Sequence, residues 1–400
     1  MRDFSDTLES TMGLRMLRAA LYLLGTCVVV PSALAANAPI IPPPPSIAAS
    51  GYLLMDADTR KVLAENSIHE PLPPASLTKI MTSYIAAAEL AAGRINEDDQ
   101  VLVSVKAWQT PGSRMFIREG TRVSVGDLLR GVVIQSGNDA SVALAEYIAG
   151  SEGAFADMMN QQSVELGMAT TRFVNATGLP DEGHYTSAWD LALLTRSLIT
   201  RFPEVYALYA EREFTYNDIP QPNRNRLLWR DRTVDGVKTG HTRAAGYCLV
   251  ASAVRDNMRL VSVVMGTESD EARMRESQKL LSYGFRYFET RKLYEAGVPL
   301  KTAELYYGED EDIELGVLED VYVTIPRGHY KDIKAELKIA RVIEAPAEAG
   351  QAFGELRLLL GEELTYSAPL VALADAEEAG MFSRMGDFIY LFFGSLFSSD

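Results

Sequence analysis

A change of pattern near residue 290 limits the possible folds more than any other feature of this sequence. From 46 to about 290, apolar runs of strand length alternate with longer stretches whose apolar residues recur every three or four positions. Residues 51–55 and 61–65 alternate about a turn at 56–60 and read as a hairpin. Helices are expected over 76–92, over 128–148 and, with one apolar face, over 271–288. Strands are expected at 234–238, 247–253 and 260–265. From about 295 to 376 only short strands remain, such as 321–325, 337–342 and 355–360, separated by Gly, Pro and charged turns. The expectation is an α/β (α+β) body over 46–290, an antiparallel sheet flanked by helices, followed by a small all-β domain over 295–376.

The chain's 400 residues suit two domains with appendages, and 47% apolar with 23% charged residues supply a globular core. A net charge of -16 without any dense Lys/Arg run argues against nucleic acid as a partner. His69, His184, His241 and His329 lie far apart with no ligand spacing, so neither metal nor other cofactor is expected.

Both ends carry targeting features. Arg15 and Arg18, an apolar run over 19–30 and Ala33-Leu34-Ala35 form the layout of a secretory signal peptide, 1–35, with cleavage after Ala35 and Met12 as an alternative start. Cleavage removes Cys27 and leaves Cys248 unpaired, buried in an apolar strand. Residues 36–45, with prolines at 42–45, form a stiff lead-in. Over 377–400, Met381, Phe382, Met385, Phe388, Ile389, Phe392, Phe393 and Leu396 fall on one helical stripe, suited to lying in a membrane surface and too short to span it. Packing on the protein body is the alternative for that helix.

Three short motifs carry the chemistry: Ser76-Leu77-Thr78-Lys79, Ser136-Gly137-Asn138 and Lys238-Thr239-Gly240. Ser76 and Lys79, three apart on a helix, share a face and bring an amine to a hydroxyl. A serine needs such a base to become a nucleophile. Lys79 serves only when neutral, a state favoured by burial and by a second ammonium, for which Lys238 is the candidate. Ser136 would relay a proton and the Asn138 amide would hold a substrate backbone. Lys238-Thr239-Gly240 is expected to end a strand, with Gly240 admitting a substrate chain as an added strand. The N–H groups of Ser76 and His241 are candidates for an oxyanion hole.

The stretches PPASLTKIMT, GVVIQSGNDASVALAEYIAG, FVNATGLPDEGHYTSAWDLA, NRNRLLW and VDGVKTGHTRAAGYCLVASA resemble the low-molecular-mass penicillin-binding proteins, the serine D-alanyl-D-alanine carboxypeptidases. EAGQAFGELRLLL and the terminal stripe extend the resemblance to nearly the whole mature chain. It implies a β-lactamase/transpeptidase-like catalytic domain and removal of the last D-Ala from peptidoglycan stem peptides through an acyl-Ser76 intermediate. It also implies β-lactam antibiotics as covalent inhibitors, and a periplasmic protein held peripherally on the inner membrane. Ser76, Lys79, Ser136, Asn138, Lys238, Thr239 and His241 match its site positions. A substrate ending in a carboxylate needs a cationic reader, and Arg224 and Arg273 lie where the family places such arginines. Trp108, Arg114, Met115 and Phe116 belong to a loop that would flank the site.

Three rival readings stand beside this one. A class A β-lactamase uses the same acylation chemistry and needs a Glu-directed water for fast deacylation. A D,D-endopeptidase shares the chemistry. A silent peptidoglycan-binding scaffold would not require Ser76, Lys79, Ser136 and Lys238 together.

Overall fold

A computed structural model describes residues 41–380; the expected signal peptide with Cys27, and most of the expected terminal helix, lie outside the described residues. Strands β1 (Gly51–Asp56) and β2 (Val62–Asn66) form the expected hairpin, and helix α1 (Lys79–Ala91) follows a single 3-10 turn, Ala75–Thr78. A small helical lobe comes next, with a ribbon of β3 (Gln100–Leu102) and β4 (Arg122–Ser124) around α2 (Val105–Gln109). Helix α3 (Val125–Arg130) runs into a π-helical turn, Gly131–Gln135, and α4 (Asn138–Ala149) leaves it beyond a break at Ser136 and Gly137. The break expected in 128–148 is therefore present, and the widened turn delivers it.

Helices α5 (Glu152–Glu165), α6 (Ala188–Arg201) and α7 (Pro203–Ala207), a ribbon of β5 (Glu213–Tyr216) and β6 (Ile219–Pro222), and the short α8 (Leu227–Arg230) lead back to the main sheet. Strands β7 (Val234–Thr242), β8 (Gly246–Arg255) and β9 (Met258–Thr267) complete it, and α9 (Asp270–Tyr287) covers it. All its pairings are antiparallel, in the order β2-β1-β9-β8-β7. Strand β7 is an edge, hydrogen-bonded along one side only.

This sheet is buried on both faces, and its period of two explains how. Cys248 and Val250 of β8 point into one core with Leu77, Ile80, Tyr84 and Leu194 of the helical layer. Leu249 and Ala251 point the other way, against Met274, Leu280 and Phe285 of α9. A third core fills the lobe around Val101, Met115, Leu128 and Val142. Ala75 and Leu77 of the Ser76 turn, Ile134 just before the break and Val237 of β7 all belong to the first core.

Two corrections concern β7. Lys238-Thr239-Gly240 does not end the strand, which runs on through His241 to Thr242 in register with β8. Nor is Gly240 explained by room for substrate. A Cβ there would meet the Pro74 carbonyl at 3.0 Å, Leu77 Cγ at 3.2 Å and Ala75 Cβ at 3.3 Å, so the glycine lets β7 press against the Ser76 turn.

Beyond α9, β10 (Phe288–Tyr294) pairs with β13 (Val321–Pro326), and a second five-stranded sheet forms. Its members are β11 (Lys301–Glu304), β12 (Asp312–Gly316), β14 (Ile333–Ile339), β15 (Ala352–Leu360) and β16 (Glu363–Ala372), in the order β11-β12-β16-β15-β14. The strand expected at 337–342 begins earlier and stops at Ile339. Alternate residues Leu356 and Leu358 of β15 pack with Val321, Val323 and Ile325. The two bodies meet at the buried Asp56 carboxylate, which accepts from Thr290 Oγ1 at 2.6 Å and from Thr59 Oγ1 at 2.9 Å.

Candidate active site

Ser76 lies half-buried in the turn that opens α1, after Ala75 in the left-handed region with φ 46°. A non-glycine residue held there, directly before the serine, is the kind of local strain that surrounding structure must enforce. Lys79 is fully buried, and its Nζ is 3.1 Å from Ser76 Oγ, 2.7 Å from Asn138 Oδ1 and 2.5 Å from the Thr177 carbonyl oxygen. All three neighbours accept a hydrogen bond from the amine. In its neutral form two N–H bonds remain for Asn138 and Thr177, and the lone pair is free to take the Ser76 hydroxyl proton.

Burial lowers Lys79 to about 7, against a smaller opposing pull from Asp139. Of the two expected causes, burial is the one that depresses Lys79, and Lys238 does not. The like-charge effect is felt at the other amine. Lys238 is itself buried, donates to the Thr239 carbonyl at 3.2 Å, and is held well below the usual lysine range by burial first and then by Lys79, Arg224 and Arg273.

The Asn138 amide is more committed than expected. Its oxygen accepts from Lys79 and its nitrogen donates to the Pro111 carbonyl at 2.6 Å, leaving one N–H uncommitted. Ser136 is buried at the break in left-handed backbone, φ 67°. Next to Asn138, the buried Asp139 accepts from the backbone N–H groups of Met115 at 2.9 Å, Phe116 at 2.9 Å and Ile117 at 3.3 Å. That clamp fixes the flanking loop. Met115 is a core residue, whereas Phe116 and Trp108 are exposed and Arg114 donates to the carbonyls of Thr110 and Gln109.

Thr239 is buried on β7, and His241 is exposed with its ring stacked on Tyr247, centroids 4.0 Å apart. Arg273 also lies against Tyr247, its guanidinium carbon 5.6 Å from the ring centre. Arg273 is 7% exposed; it donates to the Gly240 carbonyl at 3.0 Å and the Cys248 carbonyl at 3.3 Å, and pairs with Asp270. It is thus welded to β7. Arg224 is exposed, with Nε donating to Gln135 Oε1 at 3.3 Å. Cys248 is free and buried, its thiol pushed up to about 11 by desolvation, as suits an inert core residue.

Sequence reasoning missed the loop behind Lys79. Asn175 Oδ1 accepts from Thr177 N at 3.1 Å and Gly178 N at 2.8 Å, a local turn that presents the Thr177 carbonyl to Lys79. His184 is buried 2.9 Å from Thr78 Oγ1, with its Nδ1 accepting from Val174 N at 3.4 Å, and burial lowers it to about 4. It is a neutral imidazole that pins this loop to the Ser76 turn. The Asn-x-Thr-Gly spelling is a turn signal that could have pointed here.

Residues 38–269 match the family model described as D-alanyl-D-alanine carboxypeptidase, and 288–378 match that of the penicillin-binding protein 5 C-terminal domain. The D-alanyl-D-alanine carboxypeptidase DacC of Escherichia coli is 45% identical over 366 residues, covering 88% of this chain and 92% of the relative. Penicillin-binding protein 5 of Haemophilus influenzae superposes with a TM-score of 0.81 at 42% identity, covering 84% of this chain and 99% of the other. Penicillin-binding protein D2 of Listeria monocytogenes in its ampicillin-bound form, at 28% identity and a TM-score of 0.57, covers 61% of this chain and 100% of the other. With its fold, its three motifs and its relatives in agreement, the chain belongs to the D-alanyl-D-alanine carboxypeptidase family.

Proposed function

We propose that this chain hydrolyses the terminal D-Ala-D-Ala bond of peptidoglycan stem peptides through an ester on Ser76, and that β-lactams acylate the same oxygen. The observation that carries the reading is the buried, largely desolvated Lys79 amine 3.1 Å from Ser76 Oγ, with its two other neighbours both acceptors. Lys79 takes the Ser76 proton as Oγ attacks the penultimate D-Ala carbonyl. The C–N bond then breaks, D-alanine leaves with a proton, and water resolves the ester. The N–H groups of Ser76 and His241 hold the developing oxyanion, worth about 3 kcal/mol for one such donor. Ser136 and Lys238 relay the proton, and Arg224, Thr239 and Arg273 read the terminal carboxylate. The unpaired edge of β7 suits a peptide laid alongside as an extra strand.

D-Ala release from a synthetic stem ending in D-Ala-D-Ala, beside mass analysis of a penicillin adduct, tests this function. An adduct without release would replace it by a slow drug-binding role.

Acylation has a pH signature. The active form of Lys79 is neutral and its pKa is about 7. The acylation rate by a penicillin should therefore fall as pH drops through that value, approaching about tenfold per unit below it. A flat rate from mildly acidic to mildly basic pH would rule out Lys79 as the base.

We further infer that 1–35 directs export to the periplasm and that 377–400 lies on the inner membrane. Among the described residues no helix is long and apolar enough to cross a membrane. Deleting 377–400 should move the protein to the soluble fraction with activity retained, and persistent membrane association would refute the anchor.

A further inference from the structure

A cleft beside the site has a charge opposite to that of the protein. The chain carries -16, yet a cavity of about 780 Å³ is walled by Arg224, Arg226, Arg230 and Arg273 against one acidic residue, Asp270. Its volume is that of a pocket for a drug-sized ligand, far more than the methyl side chain of a terminal alanine needs. Arg224 and Arg273, the two expected carboxylate readers, line it, and Arg273 is hydrogen-bonded to the Gly240 carbonyl of β7. Arg226 and Arg230, at the two ends of the short α8, also line it, and Trp229 adds an indole that is 47% exposed.

The native acidic partners do not neutralise the cleft. Asp270 is shared between Arg273 and Arg226, the latter at 3.4 Å, and Glu271 just outside pairs with Arg230 at 2.7 Å. Arg224 forms no ion pair among the described residues. The Arg226 side chain is 65% exposed in its pair, a solvent-screened contact that can yield to a bound anion, whereas Arg230, 51% exposed, is held by Glu271 through both terminal nitrogens and keeps further N–H groups to donate.

We propose that this cleft is a leaving-group subsite that reads a second carboxylate, so that the enzyme also accepts stem peptides whose last residue carries an acidic arm and favours them over their neutral isosteres. The inference rests on the acyl-Ser76 reading. The terminal α-carboxylate sits on Arg224 and Arg273, and the side-chain carboxylate reaches Arg226 and Arg230 with its methylenes against Trp229. Bond changes are those of the main reaction, and the amine that departs with a proton is an acidic D-amino acid in place of D-alanine.

The test compares synthetic stems ending in D-Ala-D-Glu, in its neutral isostere D-Ala-D-Gln, and in D-Ala-D-Ala. For the wild-type protein, kcat/KM for the Glu stem should exceed that for the Gln stem by about tenfold, as a new charge-assisted contact allows. In the double variant Arg226→Gln, Arg230→Gln that ratio should fall to about one, with D-Ala-D-Ala hydrolysis within about twofold of wild type. Equal rates for the Glu and Gln stems in the wild type would overturn the proposal. So would a preference that survives in the variant, or a variant that loses all three substrates alike. Failure of the wild type to release D-Ala from the D-Ala-D-Ala stem would instead remove the carboxypeptidase reading on which the subsite rests.

Discussion

Ser76→Ala should bring both D-Ala release and penicillin adduct formation to background, a loss on the order of 10⁶-fold in turnover where a catalytic serine is removed. The substitution takes away one oxygen at a half-buried position and adds nothing, so the fold should be untouched. Lys79 keeps its acceptors Asn138 Oδ1 and Thr177 O, and the amine stays in place without a hydroxyl to deprotonate. Melting temperature should therefore stay close to wild type while chemistry disappears. An adduct of normal mass on the alanine variant would put the nucleophile elsewhere. A large drop in melting temperature would mean that the Ser76–Lys79 contact stabilises the fold, a role this account does not give it.

The parts of the site legible in the sequence were side chains in short spaced motifs. Ser76 with Lys79 follows from helical geometry, and the break at Ser136-Gly137 from residues that do not continue an apolar helix. Alternation gave β8 and β9 their two buried faces. What escaped notice is carried by backbone groups and by packing between distant segments. The Thr177 carbonyl has no signature in the identity of residue 177, because every residue carries one. Gly240 suggested substrate access in sequence, yet its neighbour is Pro74, more than 160 positions earlier in the chain. Similarly, burial and Lys238 were both expected to perturb Lys79, and burial, whose degree no local pattern encodes, is the one that lowers its pKa.

The loop behind Lys79 supplies the second large effect. Gly178→Ala should disable acylation and destabilise the protein together. Gly178 has φ +81°, which an alanine adopts only with strain. A Cβ built there would overlap the Ala75 carbonyl and approach Thr78 Oγ1 to 2.9 Å. Neither neighbour can give way freely. Ala75 is itself held at φ 46°, and Thr78 is tied to His184 at 2.9 Å. The loop is no freer, since Asn175 Oδ1 holds Thr177 N and Gly178 N, and Thr177 O accepts from Lys79. The strain must then be relieved by parting the loop from the Ser76 turn, which pulls the Thr177 carbonyl from Lys79 and turns Ser76 from its base. Left-handed strain and overpacking together should cost about 3 kcal/mol or more. A displacement near 1 Å should slow penicillin acylation by about 10²-fold. Thermal unfolding and the acylation rate of the variant check the two effects separately. Wild-type values for both would show that the close approach of this loop to the nucleophile turn is not needed by the enzyme.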